Sequence, residues 1–226
     1  MKPIGKVVRV EGIGEELGSV VWRSLRVSGT AVLIGALVGI PLATWLGLAR
    51  FRGKGAVTAL IQTGMALPPV VVGLLVYLLL SHSGPLAALD WLFTPQAMIL
   101  AQVILALPLI LGITMSAVAA VPAELLLQVC SLGATGWQAR WTVLREARAG
   151  VLLAVAAGLG RSLSEVGAVL IVGGNIQGHT RVLTTAIVLE TGNGHFALAL
   201  ALGGWLLALA LGANLVILRL QARPLP

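Results

Sequence analysis

Charge is scarce in this chain: Asp, Glu, Lys and Arg make up only 10% of its 226 residues, against 58% hydrophobic residues and a mean hydropathy of +1.00. A soluble fold needs far more polar surface than that, so composition excludes a soluble globule. Cysteine is almost absent as well. Cys130 stands alone, which excludes an intrachain disulfide and leaves too little sulfur for a thiolate metal site; it reads as a small packing residue. The sequence also lacks a Gly-rich phosphate loop of the Walker type, the His/Cys/Asp spacing of a metal centre and a nucleophile elbow. No catalytic residue, metal or bound cofactor is therefore expected, and no ATP hydrolysis by the chain itself. Residues 1–26 are mixed and charged, with no compact apolar core before a small-residue cleavage site, so no cleavable signal is expected.

What the chain does have is long apolar runs. Runs of about 20 residues span a bilayer, and continuous rather than alternating hydrophobicity points to helices, not a barrel. Five such runs stand out: Val27–Ala49, Val57–Leu80, Ala97–Ala120, Val151–Gly173 and Phe196–Leu218. The expected fold is an all-α integral membrane protein with about five transmembrane helices. Its parts are an N-terminal tail or elbow over 1–26, a membrane domain over 27–218 and a short cytoplasmic tail over 219–226.

Lys and Arg in short loops set the orientation. Arg50, Arg52 and Lys54 follow the first run, Arg140, Arg145 and Arg148 the third, and Arg219 and Arg223 the fifth. These regions share a side, which is then cytoplasmic. The Ser81–Gln96 loop has no basic residue and the Gly174–His195 loop only Arg181, so both are external, together with His82, His179 and His195. One conflict remains, because five crossings put the tail outside although it carries Lys2, Lys6, Arg9, Arg23 and Arg26. The net charge of +7 follows from the same rule. Its cations are scattered at membrane edges and not clustered on a face, which argues against nucleic acid as a partner.

Residues 121–150 break the apolar pattern. Glu124, Gln128, Arg140, Arg145, Glu146 and Arg148 surround a Leu132-Gly133-Ala134-Thr135-Gly136-Trp137 core, and a polar island between two spans must lie in water at one membrane face. Glu124 to Leu132 reads as a helix, and Gly133-Ala134-Thr135-Gly136 as its break. Thr135 is placed to cap a second short helix, on which Trp137, Trp141 and Leu144 recur at i, i+4 and i+7. Two readings fit that stripe: an amphipathic helix lying on the bilayer surface with Trp at the headgroups, or knobs on which a soluble partner pushes.

Leu132 to Arg140 resembles the cytoplasmic coupling loop of ABC-type importer permeases, with Gly133 and Ala134 matching the fixed Gly and its neighbour. Leu127, Gln128 and Val129 stand where that loop has Glu-Ala-Ala, and Arg145-Glu146 where it has Leu-Pro. Ala66-Leu67-Pro68-Pro69-Val70 and Ala106-Leu107-Pro108-Leu109 resemble the proline-bearing second and third spans of molybdate, tungstate and sulfate permeases. Gly160-Arg161-Ser162-Leu163-Ser164-Glu165-Val166-Gly167-Ala168, running into Val172-Gly173-Gly174-Asn175 and on through Thr180–Thr191, resembles the tungstate-type branch most. The likeness covers roughly residues 20–218.

This resemblance implies the type I ABC importer permease architecture in a cytoplasmic (inner) membrane, and import of a tetrahedral oxyanion, tungstate first, with molybdate and sulfate left open. It also implies a homodimer, two cytoplasmic ATPase subunits that hold ATP and Mg²⁺, and an external oxyanion-binding protein. Gly133, Ala134, Thr135, Trp137, Arg140 and Trp141 are then the residues that couple to the ATPases.

Other residues are candidates for the pathway or its gate. Arg161 and Glu165 are spaced i, i+4 within a span, and charges at that depth face protein or water and usually pair. Either they neutralise each other in an intrahelical ion pair, or they serve at the pore wall. An unpaired Glu165 repels a divalent oxyanion, so it is assigned to structure or gating. Ser162, Ser164 and Asn175 are neutral donors suited to brief anion contacts, or to bonds with their own or neighbouring helices. Pro68-Pro69 interrupts the second run, as a fixed packing kink or as a bend that moves when the pathway alternates. Two readings from other classes stay open: an ion-driven secondary transporter built on a carboxylate such as Glu165, for which no inverted repeat is visible, and a membrane scaffold without substrate flux.

Overall fold

The structure, a computed structural model, describes residues 10–221, with side chains described from Leu17 onward. Lys2, Lys6, Arg9 and Arg223 lie outside the described residues. Those residues form an all-helical bundle: α1 (Val10–Leu48), α2 (Lys54–Met65), α3 (Pro69–Leu80), α4 (Pro95–Ala119), α5 (Ala123–Ser131), α6 (Gly136–Glu146), α7 (Arg148–Leu163), α8 (Gly167–Gly173), α9 (Leu183–Gly192) and α10 (Phe196–Gln221). Three helices are long and apolar enough to cross a membrane unbroken, namely α1, α4 and α10.

Two expected spans are broken. In place of one helix over Val57–Leu80, α2 and α3 meet at 95°; in place of one over Val151–Gly173, α7 and α8 meet at 57°. The first break has a local cause. Pro69 opens α3, extended Pro68 precedes it (φ −66°, ψ 122°), and a residue before proline is pushed out of helical geometry. The second contains no proline and is held by side chains, as described below. Counting each bent pair as one span gives five. The first helix includes residues well before Val27, from Val10 onward among the described residues, so residues 10–26 belong to it rather than to a separate tail element. The external segment 174–195 is not simple loop, because it contains α9.

α4 is the axis of the bundle, with buried residues on most of its turns. It runs parallel to α1: Gly35 faces Leu107 and Ile110, while Gly47 faces Met115 and Val118. α7 runs antiparallel to both, with Gly150 against Ala117 and Gly158 against Ile110. Glycine at these positions lets the backbones approach, the usual device of helix packing in lipid. The ends of the bundle separate by charge. Leu48, Val118, Val143, Ala147 and Val151 form one cluster, Lys54 Nζ donates to the carbonyls of Gly47 and Ala49 at 2.9 Å, and Gln221 Nε2 donates to Ala149 O. Arg50, Arg52, Lys54, Arg148 and Arg219 thus adjoin one end, the inner one by the charge rule. α1 consequently starts at the opposite end of the bundle.

Candidate functional site

At the inner end, α5 and α6 form the polar island. Gly133 turns the chain at φ +85°, a left-handed conformation that glycine adopts without a Cβ penalty. Thr135 then opens α6 in a reciprocal capping box. Gln138 N–H donates to Thr135 Oγ1 at 3.4 Å, and Thr135 N–H donates to Gln138 Oε1 at 2.8 Å, satisfying two orphan donors of the helix start. Ala139 and Val143 bury one face of α6 against the bundle. The other face carries Trp137, 74% exposed, Trp141, 48% exposed, and Arg140, with the Arg145 guanidinium 5.8 Å from the Trp141 ring. Leu144 turns inward against Val118 and Val143 and leaves the outer stripe. Leu132, at the tip, is 87% exposed. Gly133, Ala134, Thr135, Trp137, Arg140 and Trp141 therefore lie together on one short, rigidly capped projection.

The other candidates converge at membrane depth around the two helix breaks. α3 packs on α8 with almost no separation, a Cβ built on Gly73 meeting Ala168 Cα at 2.7 Å. Of the two readings of Arg161 and Glu165, the intrahelical ion pair does not form. Arg161 and Glu165 fall on either side of the end of α7 and make no salt bridge among the described residues. Arg161 Nη2 instead donates across the bundle to Leu67 O, at 3.4 Å. That carbonyl precedes Pro68, and Val71 N–H goes to Pro68 O. Glu165, 6% exposed, accepts from Ala168 N–H at 3.1 Å, and its own carbonyl accepts from Thr184 Oγ1 at 3.0 Å. Its carboxylate thereby satisfies an amide at the start of α8.

The neutral donors separate. Ser162 is buried at 3% exposure, and its carbonyl accepts from Ser28 Oγ (3.2 Å) and Gln102 Nε2 (3.0 Å). Ser164 is exposed and bonds back to Arg161 O. Asn175 lies away from this cluster at the outer end, at φ 51°, with its Oδ1 buried and unpartnered. Gln102, Arg161, Ser162 and Glu165 line, with Leu105, a crevice too tight to admit a water molecule. In it, Gln102 Oε1 and Ser162 Oγ have no hydrogen-bond partner. Gln102, Leu67, Gly73 and Thr184 were not candidates on sequence. A lone Gln in an apolar run was the available signal for the first; a carbonyl, a packing glycine and a Thr on a helix read as loop give none.

Outside these regions the polar groups do structural work. Ser24 Oγ accepts from Leu183 N–H at 2.8 Å and so starts α9 from α1. His195 Nδ1 lies 2.8 Å from Glu190 Oε2, and no group of His, Cys, Asp and Glu that could hold a metal occurs among the described residues.

Comparison with known proteins fits this geometry. Residues 39–223 match the family described as binding-protein-dependent transport system inner membrane component. A probable anion ABC transporter permease of Haloferax volcanii is 48% identical over 81% of this chain and 81% of its own length. The tungstate uptake system permease TupB of Peptoclostridium acidaminophilum is 42% identical, covering 82% and 81%. The molybdenum transport system permease ModB of Azotobacter vinelandii is 30% identical, covering 73% and 76%. In fold, the chain superposes with a TM-score of 0.72 on a chain of the inward-facing MetNI methionine ABC transporter, at 21% identity, over 94% of this chain and 99% of that one. A family match across most of the chain, together with relatives of this identity and coverage, shows that the protein belongs to the binding-protein-dependent transport system inner membrane components, as a multi-pass ABC importer permease of the oxyanion family.

Proposed function

We propose that this chain is the membrane subunit of an ATP-driven tungstate importer. It works as a homodimer with two cytoplasmic ATPase subunits, which hold the ATP and Mg²⁺, and an external oxyanion-binding protein. The observation that carries the reading is the α5–α6 projection. Two exposed tryptophans and Arg140 on a helix fixed by a capping box, at the basic end of the bundle, have the composition of an interface anchor. A helix serving only as a surface float would put its apolar side chains into the bilayer, whereas here Val143 and Leu144 pack into the bundle and the tryptophans project from it. Closure of the ATPases moves the projection, and α7, joined to α6 through Ala147, transmits the motion to the broken spans. The pathway then alternates between faces with Pro68, Pro69, Arg161, Ser162, Ser164, Glu165 and Asn175 along it or bracing it.

Tungstate is placed before molybdate because tungstate uptake permeases are 42% and 38% identical to this chain and molybdenum permeases 30%. The test is uptake into proteoliposomes that hold the permease with its ATPase and binding protein. Tungstate uptake should require ATP and resist a molybdate excess. Uptake that persists without the ATPase would replace this reading with an ion-driven one, and uptake fully competed by sulfate would move the substrate.

A further inference from the structure

We propose that Arg161 is the residue that touches the oxyanion in transit, and that it stands at the top of a polar wall formed by the outward face of α2. The inference rests on the oxyanion-importer reading and goes beyond it by naming the contact.

The exposed helix faces at membrane depth differ sharply. On α3 the exposed residues are Val70, Val71, Leu74, Leu75, Leu78 and Leu79, a surface suited to lipid. On α2 they are Gly55, Ala56, Ala59, Leu60, Gln62 and Thr63, with Ala66 just past its end. Leu60 apart, these side chains are small or polar, and Gln62 has no hydrogen-bond partner among the described residues. Hydrocarbon cannot satisfy a side-chain amide, so this face looks onto water or protein. At its upper end the face reaches Leu67 O, where the Arg161 guanidinium sits half-buried beside the exposed Ser164.

Arg161 itself supplies the second observation. It lies thirteen residues into α7 from Arg148, about 20 Å from the inner end. A charge at that depth is normally paired, yet Arg161 makes no ion pair among the described residues. Its single hydrogen bond is a long one of 3.4 Å, which engages one donor of five. The nearby carboxylate, Glu165, is turned to the amide of Ala168. A guanidinium that is fixed in place but left with free N–H donors matches two oxygens of a tetrahedral dianion at once. Beside it, Gln102 and Ser162, each 3% exposed, line the same tight crevice as Arg161, and Gln102 Oε1 and Ser162 Oγ lack partners. They give the guanidinium an alternative acceptor once the anion has gone, so that binding is brief and the anion is not trapped.

Two measurements on the assembled complex test this. In a Cys130→Ser background that keeps Arg161, Gln62→Cys, Thr63→Cys and Ser164→Cys should react with a negatively charged methanethiosulfonate at least tenfold faster than Leu74→Cys and Leu78→Cys. Tungstate should slow the reaction at 164 only. Equal reactivity on the α2 and α3 faces, or no protection at 164 by tungstate, molybdate or sulfate, would overturn the proposal. In proteoliposomes, Arg161→Met should lose about tenfold to a hundredfold of the tungstate uptake rate, the loss expected for a hydrogen bond to a charged group. Arg161→Lys, which keeps the charge without the fork, should recover part of it. Uptake by Arg161→Met at the unmodified rate would refute the contact. If the unmodified complex moves molybdate or sulfate but not tungstate, the substrate reading fails while the labelling still decides the role of the wall; the 164 measurement also stands if Arg161→Met does not assemble.

Discussion

The close packing of the two broken spans yields a prediction whose sign differs between two superficially similar glycines. Gly73 on α3 and Gly150 on α7 each sit against an alanine of a neighbouring helix, but against different parts of it. A Cβ added at Gly73 meets Ala168 Cα at 2.7 Å, its carbonyl oxygen at 3.2 Å and its Cβ at 3.3 Å. One added at Gly150 collides with Ala117 Cβ, while Ala117 Cα lies at 3.6 Å, an ordinary contact distance. The obstacle is backbone in the first case and a methyl group in the second.

Gly→Ala inside a helix is worth about 1 kcal/mol in propensity, and overpacking costs about 1–3 kcal/mol. The overlap at Gly73 can be relieved only by moving a helix, so the upper part of that range applies and Gly73→Ala should lose about 1–2 kcal/mol net. Adding Ala168→Gly leaves Cα in place and sacrifices another helical alanine, so the double variant should be worse by about 1 kcal/mol. At the other site Ala117→Gly removes the colliding atom, and Gly150→Ala with Ala117→Gly exchanges the two residues. That pair should return to within about 0.5 kcal/mol of the unmodified protein. Thermal unfolding in detergent at one fixed scan rate reads the difference, with each kcal/mol worth about 2–4 °C for a chain of this size. Rescue of Gly73→Ala by Ala168→Gly would refute the backbone contact between α3 and α8.

Other predictions bear on the inner projection and the orientation. Trp137→Ala combined with Arg140→Glu should remove ATPase copurification and ATP-driven uptake while the permease stays in the membrane; full retention of both would sink the docking assignment. Thr135→Ala should cost about 1 kcal/mol at the start of α6, read as faster amide exchange at Gln138 and Ala139 with little change in the rest of the bundle. In the Cys130→Ser background, single cysteines at Ser83 and Gly178 should label with an impermeant thiol reagent in intact cells and one at Gly53 should not. Labelling at Gly53 would reverse the orientation and put α6 on the wrong side for any ATPase.

What was legible in the sequence follows from how local the physics is. Apolar runs, loop charges, Gly133 as a helix stop and Thr135 as a cap are all decided within a few residues, and each reappears in the bundle. The break at Pro68-Pro69 was legible for the same reason, but its angle of 95° was not, because proline ends a helix and packing decides where the next one points. α9 is a ten-residue helix with polar residues in it, too short to stand out as a spanning run; it exists because Ser24 from α1 caps it and α10 covers it. The first helix begins before Val27 because Val20 and Val21 pack on α9, so arginines in that stretch do not end it.

The Arg161–Glu165 pair shows where the reading of local sequence reaches its limit. Spacing of i, i+4 makes an ion pair only if the helix continues between the two residues, and nothing between them forbids continuation: Ser162, Leu163 and Ser164 are all tolerated in a helix. The helix stops because of residues distant in sequence. Thr184 takes the carbonyl of Glu165, Ala168 needs a cap that the carboxylate provides, and Val70 and Gly73 fix α8 against α3. Once α7 ends there, the carboxylate is committed to α8 and the guanidinium turns to the carbonyl that the prolines leave at Leu67. The two breaks therefore depend on each other. The proline break exposes an acceptor for Arg161, and the second break separates Arg161 from the carboxylate that would have neutralised it, so the positive charge is left without an ion-pair partner among the described residues.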